Sequence, residues 1–171
     1  MHGRAMEATI SQMRRCQTEL HRVALIRNTV HGIWARIGRS KIGGVGVIAV
    51  RDIPSGQDPF LLPDGKSCGI GEYVSISKDD IAGAPAGVKE MMHDFFTVEE
   101  DGMQLVPVQG MNALPTSYFL NHADAKTGET NIERYDCNCP IVCFQAARDI
   151  RKGEELLFDY VGTFGEAGKI R

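Results

Sequence analysis

A glycine-rich turn, Ser40-Lys41-Ile42-Gly43-Gly44-Val45-Gly46, lies between two stretches of strand pattern and constrains the fold more than any other segment. Ahead of it Ile33, Ala35 and Ile37 alternate with Trp34 and Arg36, the period of a half-buried strand. Behind it Val45 to Val50 reads as a second, more buried strand, and Asp52-Ile53-Pro54-Ser55-Gly56 ends that strand with turn residues. The chain therefore returns on itself here as short β segments.

The rest of the chain mixes strand and helix patterns. Residues 6–27 contain no Pro or Gly and carry a partial stripe of Ile10, Met13, Leu20 and Ala24, which predicts a helix. Gly71 to Ser77 alternates around Tyr73, Val74 and Ile76 as a strand does. Ser77-Lys78-Asp79-Asp80 has the form of a capping box, which predicts a short helix after it. Val88, Met91, Met92, Phe95 and Phe96 fall on one helical face, so a helix starts near Pro85. That Met and Phe cluster reads as core more readily than as a binding groove. Ile141 to Ala147 is a strand, and Arg151-Lys152-Gly153 turns the chain before Leu156-Leu157-Phe158.

A chain of 171 residues with ordinary composition suits one domain. No stretch is long and apolar enough to span a membrane, and the arginines near the start lack the apolar core of a secretory signal. Five cysteines, an odd number, suit a reducing, intracellular compartment better than a disulfide framework. Charge is distributed unevenly. Residues 1–53 hold nine basic side chains against three acidic ones, a balance of +6, while the remainder holds ten against nineteen, a balance of −9. An acidic body attracts a basic peptide, and the basic end suits nucleic acid or the body itself; solvated surface charge explains the same numbers.

Two segments belong together: Tyr118-Phe119-Leu120-Asn121-His122 and Gly153-Glu154-Glu155-Leu156-Leu157-Phe158-Asp159-Tyr160. With Gly44-Val45-Gly46-Val47-Ile48-Ala49 upstream, they resemble in order the signatures of SET-domain protein lysine methyltransferases. The resemblance runs from about residue 33 to 160, with a poorly matching insert at roughly 60–113. It implies a mainly β, α+β fold: the SET-domain (β-clip) arrangement of small antiparallel sheets, a helical insert and a carboxy-terminal pseudoknot. Residues 1–30 would be a helical amino-terminal extension and 31–171 the SET domain.

The resemblance also implies a function, transfer of a methyl group from S-adenosylmethionine to a lysine. Gly43, Gly44 and Val45 match the turn that meets the cofactor with its backbone, where a missing Cβ lets a ligand approach. Asn121 and His122 match the pair that holds the cofactor's adenine and amino-acid ends. Tyr160 matches the tyrosine that closes the lysine channel at the reacting centre. Phe158 falls where a phenylalanine or tyrosine controls product state, and phenylalanine there favours di- or trimethylation. Tyr118 stands where many relatives have arginine and either lines the lysine channel or packs in the core, with Tyr73 a weaker candidate of the same kind. Phe164 either stacks on the adenine or belongs to a loose tail, and Asp159 fixes the turn.

The sequence departs from the family at three points. Ala123 replaces the usual serine after Asn-His, and Asn131 lies ten residues after Asn121, lengthening that loop by about four residues. Many relatives end in a zinc-binding cysteine cluster, but no cysteine follows Tyr160 here. Cys137, Cys139 and Cys143, with Cys68, match no common zinc module and read as small buried thiols. His122 has no partners at ligand spacing, since Asp124, His31 and His93 form no recognisable set, so no metal is expected. The implied partner is a basic protein or peptide segment, histone or non-histone, met in the nucleus or cytoplasm. The competing readings are a catalytically inactive SET-fold peptide-binding module and a nucleic-acid binder acting through basic residues 4–41, which lack a recognition motif.

Overall fold

In a computed structural model the described residues are 12–13, 17–20, 22–61, 73–96, 98–99, 101–108, 110–137 and 142–165. The glycine turn does what its flanks demand. Strands β1 (Ala35–Arg39) and β2 (Val45–Ala49) pair antiparallel from Ala35↔Ala49 to Arg39↔Val45. Strands β3 (Tyr73–Ser77) and β4 (Met103–Pro107) form a separate antiparallel pair with helix α1 (Ala86–Phe95) between them in sequence. Then come β5 (Asn121–His122), β6 (Ile132–Tyr135), β7 (Cys143–Ala146), β8 (Glu155–Phe158) and a short helix α2 (Tyr160–Phe164). The larger sheet runs β1-β2-β8-β6-β7, with β5 also pairing β8.

Strand β8 is the hub. It runs antiparallel to β2 through Val47↔Leu156, and parallel to β5 and β6 through Asn121↔Leu157 and Ile132↔Phe158. The sheet is therefore mixed rather than purely antiparallel, because the chain's last strand is laid between segments made much earlier. Asn131 fastens it there. Its Nδ2 donates to the Glu155 carbonyl at 2.8 Å, and its Oδ1 accepts the Leu157 N–H at 2.8 Å, while its own N–H reaches the Leu157 carbonyl at 3.1 Å. At 1% exposure this amide substitutes for a stretch of neighbouring strand. The four extra residues before it form a compact exposed turn. Asp124 accepts the Lys126 N–H, Ala125–Thr127 is one 3-10 turn, and Gly128 ends it in the left-handed region at φ 74°.

Two cores follow from this layout. Val47, Ile53, Leu120, Ile132, Ile150, Leu156 and Phe158 fill the first, under β8. Met92, Phe96 and Val106 form the second, where α1 lies on β3 and β4. So the Met and Phe face of α1 does pack as core. The side chain of Gln104 on β4 caps that helix, donating to the Phe96 carbonyl at 2.7 Å and the Met92 carbonyl at 3.3 Å.

Three expectations change. The Ser77–Asp80 box closes as drawn, with Ser77 Oγ donating to Asp80 Oδ2 at 2.7 Å and the Asp80 N–H returning to Ser77 Oγ at 3.2 Å. It opens a turn and not a helix, because Ala84 precedes Pro85, and a residue before proline avoids helical backbone. Cys143 is buried but is no free thiol: it forms a disulfide with Cys137. The β6–β7 hairpin sets their Cα atoms 6.2 Å apart, within disulfide reach, so the cysteine count is no argument for a reducing compartment. Cys68 and Cys139 lie outside the described residues. Finally, the amino-terminal helix is seen at residues 12–13, 17–20 and 22–27 and passes into a π-turn at Asn28–Gly32, with the rest of the expected span, including Ile10, outside the described residues. Arg51 holds its end, donating to the Val30 and His31 carbonyls at 3.1 and 3.2 Å with its guanidinium over Trp34. No helix among the described residues is long and apolar enough to cross a membrane.

Replacing Asn131 with alanine removes both side-chain bonds and leaves a buried N–H and carbonyl of β8 unpaired. The expected loss is about 2–4 kcal/mol, read as a lower urea midpoint at unchanged m-value. A midpoint within error of wild type would remove Asn131 as the fastening of β8.

Candidate active site

The glycine turn is held from inside by one hydroxyl. Ser40 is buried; its Oγ accepts the N–H groups of Ile42 at 2.9 Å and Gly43 at 3.3 Å, and donates to Glu155 Oε2 at 3.1 Å. The Lys41 N–H reaches the same carboxylate oxygen at 3.1 Å. Gly44 sits in the left-handed region at φ 62°, which glycine adopts without strain. A Cβ on Gly43 or Gly44 would meet no atom within 4 Å, so the outer side of the turn is open to a ligand. Gly46 differs. A Cβ there would strike the Glu155 carboxylate and lie 2.9 Å from the Asn121 amide nitrogen.

Asn121 meets the same carboxylate from the other side. Its Nδ2 donates to Glu155 Oε1 at 2.8 Å and to the Val45 carbonyl at 2.9 Å. Both amide hydrogens are thereby used within the protein, and Oδ1 is the acceptor left for a ligand. Next to it, His122 Nδ1 accepts the Tyr160 N–H at 3.3 Å, so a neutral His122 carries its proton on Nε2. Asp159 caps α2, accepting the Gly162 N–H at 2.7 Å, and its Oδ2 accepts the Ala125 N–H at 3.3 Å. The Gly162 bond, then that of Ala125 and the nearby His122 and Lys126, hold its carboxyl below the usual aspartate value despite some desolvation. Asp159 thus turns the chain.

Tyr160 is enclosed by aromatic rings. Phe158 meets it edge-on at 4.9 Å, and Phe164 leans against it at 6.3 Å. Its hydroxyl donates to the Leu120 carbonyl at 3.3 Å, and burial, with Tyr118 close by, pushes its pKa far above that of a free tyrosine. Of the two roles left open for Tyr118, packing is the one seen here. Its ring packs edge-on against Phe95 and Phe96, while its hydroxyl shares a hydrogen bond with Tyr73 and influences Tyr160. Burial raises its pKa too. Phe158 is 1% exposed, wedged among Tyr160, Phe144 and Phe164. Phe164 rests on Phe158 and Tyr160 at the end of α2.

The fold thus gathers Gly43, Gly44, Val45, Asn121 and His122 on one side of β8, and Tyr118, Phe158, Tyr160 and Phe164 at its end. Among the described residues no cluster of His, Cys, Asp and Glu is arranged to hold a metal ion. The sequence reading missed Ser40, Gly46 and Glu155. A carboxylate within an apolar strand was the available signal, since such a group needs donors when buried.

The SET-domain family profile matches residues 44–161, from the glycine turn to one residue past Tyr160. The chain belongs to the SET-domain family. Among solved structures, it is similar to a Plasmodium falciparum protein assigned as a histone methyltransferase, at 24% identity and TM-score 0.42, over 74% of this chain and 91% of that one. A humanized mutant of the Chaetomium thermophilum Polycomb Repressive Complex 2, bound to an inhibitor, shows 29% identity and TM-score 0.44 over 78% of this chain but 15% of that chain. The methyltransferase domain of human PR domain-containing protein 2 shows 16% identity and TM-score 0.43 over 73% and 75%. A comparison with curated protein sequences finds no significant match.

The raised pKa values of Tyr160 and Tyr118 set a pH dependence. Unfolded tyrosines ionise near pH 10, whereas these two stay protonated in the fold, so their contribution to stability is complete below about pH 10 and is lost as pH rises above it. Phenolate absorbance should therefore show a fraction of the tyrosines ionising only with unfolding. Complete ionisation of all four in the native protein near pH 10 would contradict the burial of Tyr160.

Proposed function

We propose that this chain transfers a methyl group from S-adenosylmethionine to the ε-amine of a lysine in a basic protein or peptide segment. The observation that carries this reading is the meeting of the open glycine turn, Asn121-His122 and the buried Tyr160 around one strand. In this reading residues 31–171 are the SET domain, 1–30 a helical extension, and about 60–113 the variable insert that brings α1 and Tyr73 to the site.

Bound S-adenosylmethionine supplies a methyl group made electrophilic by a positive sulfonium. The backbone of Gly43, Gly44 and Val45, the Oδ1 of Asn121 and the ring of His122 are the groups suited to hold it, with Phe164 offering an aromatic ring to its adenine. The chain's own task is to present a neutral amine. A lysine with pKa near 10.4 needs roughly 4.6 kcal/mol to be neutral at pH 7. Burial among Tyr118, Phe158 and Tyr160, next to a positive charge, lowers that requirement by desolvation and like-charge repulsion. Tyr160 stays a neutral phenol, so it orients the amine by hydrogen bonding and is not a phenolate base. Alignment and exclusion of water then carry the reaction without a dedicated acid–base pair.

The acidic balance of residues 54–171 favours encounter with basic segments, histone or non-histone, in the nucleus or cytoplasm. Phe158 adds no hydroxyl to the channel and so no anchored water, which favours di- or trimethyl products.

Tyr160→Phe tests the reading on lysine-rich peptides followed by mass spectrometry. Turnover should fall about a hundredfold, the scale of one transition-state hydrogen bond, while cofactor affinity stays near wild type. Undiminished turnover would take Tyr160 out of the reaction. Phe158→Tyr should shift the products towards monomethyl-lysine; an unchanged product distribution would remove Phe158 from product control.

A further inference from the structure

We propose that Glu155 is a positioning residue: its buried carboxylate sets the glycine turn and Asn121 against each other so that both face one ligand. The identity of that ligand rests on the methyl-transfer reading; the linkage between the two elements does not.

Glu155 is 8% exposed and, among the described residues, pairs with no cation. A carboxylate in such a place is unfavourable unless its oxygens are met by donors. Three donors meet it. Oε1 accepts from the Asn121 amide, and Oε2 accepts from the Ser40 hydroxyl and the Lys41 N–H. Ser40 passes the constraint on, because the hydroxyl that donates to Glu155 also accepts the Ile42 and Gly43 N–H groups. A continuous chain of hydrogen bonds thus runs from Asn121 through Glu155 and Ser40 into the turn, joining residues 115 apart in sequence. Gly46 leaves the space in which Glu155 and Asn121 meet.

The chemistry of the group matters, not only its shape. Every contact is a donation to an oxygen, on both sides of the carboxyl. A carboxamide of the same size must turn its NH₂ towards either Asn121 or the Ser40–Lys41 side, setting donor against donor. The backbone of Glu155 is meanwhile fixed by Asn131 and by pairing with Ile48. Glu155→Gln therefore disturbs the link between turn and asparagine while leaving the strand in place.

The experiment compares wild type, Glu155→Gln and Ser40→Ala in calorimetric titrations with S-adenosylmethionine, methyl-transfer kinetics and amide hydrogen exchange of the unliganded proteins. Glu155→Gln should raise the cofactor dissociation constant about tenfold to a hundredfold, the scale of a lost hydrogen bond to a charged group. At saturating cofactor kcat should stay within about threefold of wild type, since a strut that merely stabilised the fold would not split binding from turnover in this way. Exchange should accelerate at residues 41–44 and not across β6 and β7. Ser40→Ala should move the same readouts in the same direction by less, and it decides the matter if Glu155→Gln does not fold. Unchanged affinity and unchanged exchange in a folded variant overturn the proposal. If wild type itself binds no S-adenosylmethionine, the methyl-transfer reading fails. Accelerated exchange at 41–44 then still supports the linkage, and its absence overturns that as well.

Discussion

The structure depends on how strand β8, only four residues long, is gripped. A strand that short gains little from its own ladder, and here it must lie between partners made at residues 45–49 and 121–135. Two asparagines secure it. Asn131 holds the backbone at Glu155 and Leu157, and Asn121 holds the Glu155 side chain. These are buried or half-buried polar contacts that lose far more when broken than they contribute net when made. The candidate site is attached to that strand: Phe158 ends it, Tyr160 follows two residues later, and the glycine turn is tied to its first side chain.

The aromatic layer beneath has a different task. Phe158 meets Phe144 and Tyr160 edge-on while Phe164 leans on Phe158 and Tyr160 at a tilt, an arrangement that packs densely and fixes ring orientation. Phe158 belongs to the main core and packs directly on Tyr160, so the position of Tyr160 is set by core packing. On the far side Tyr118, close to Tyr160, joins this layer to the second core through Phe95 and Phe96. Helix α1 is thus packed against the candidate site although its stretch of sequence resembles the family least.

Much of this was legible in the sequence where one periodic pattern controlled one element. The hairpin around the glycine turn, the helix after Pro85 and the strand at Tyr73–Ser77 follow from alternation, helical spacing and turn residues. Strands β4, β5 and β6 do not. Ile132-Glu133-Arg134-Tyr135 shows charge where alternation was sought, and its strand character comes from pairing with β7 and β8. The Ser77–Asp80 box misled because local bonds form whether or not a helix follows. The Cys137–Cys143 pairing was hidden because it depends on the hairpin that brings the two together. In the candidate site, the residues that carry family signatures were legible. Glu155 and Ser40 were not, since a strand glutamate reveals nothing of its partners until the strand has neighbours. Asn131, displaced by a longer loop, needed the turn at Ala125–Thr127 to show how the extra residues are absorbed.

In the proposed function one ligand lies between the glycine turn and Asn121, with Tyr160 at its reactive end. A crystal structure of the chain with S-adenosylhomocysteine tests this directly. The product's amino-acid end should lie against the turn and Asn121, with its sulfur facing the Tyr160 hydroxyl. Product bound elsewhere, or a folded chain whose site stays empty at saturating product, would contradict it.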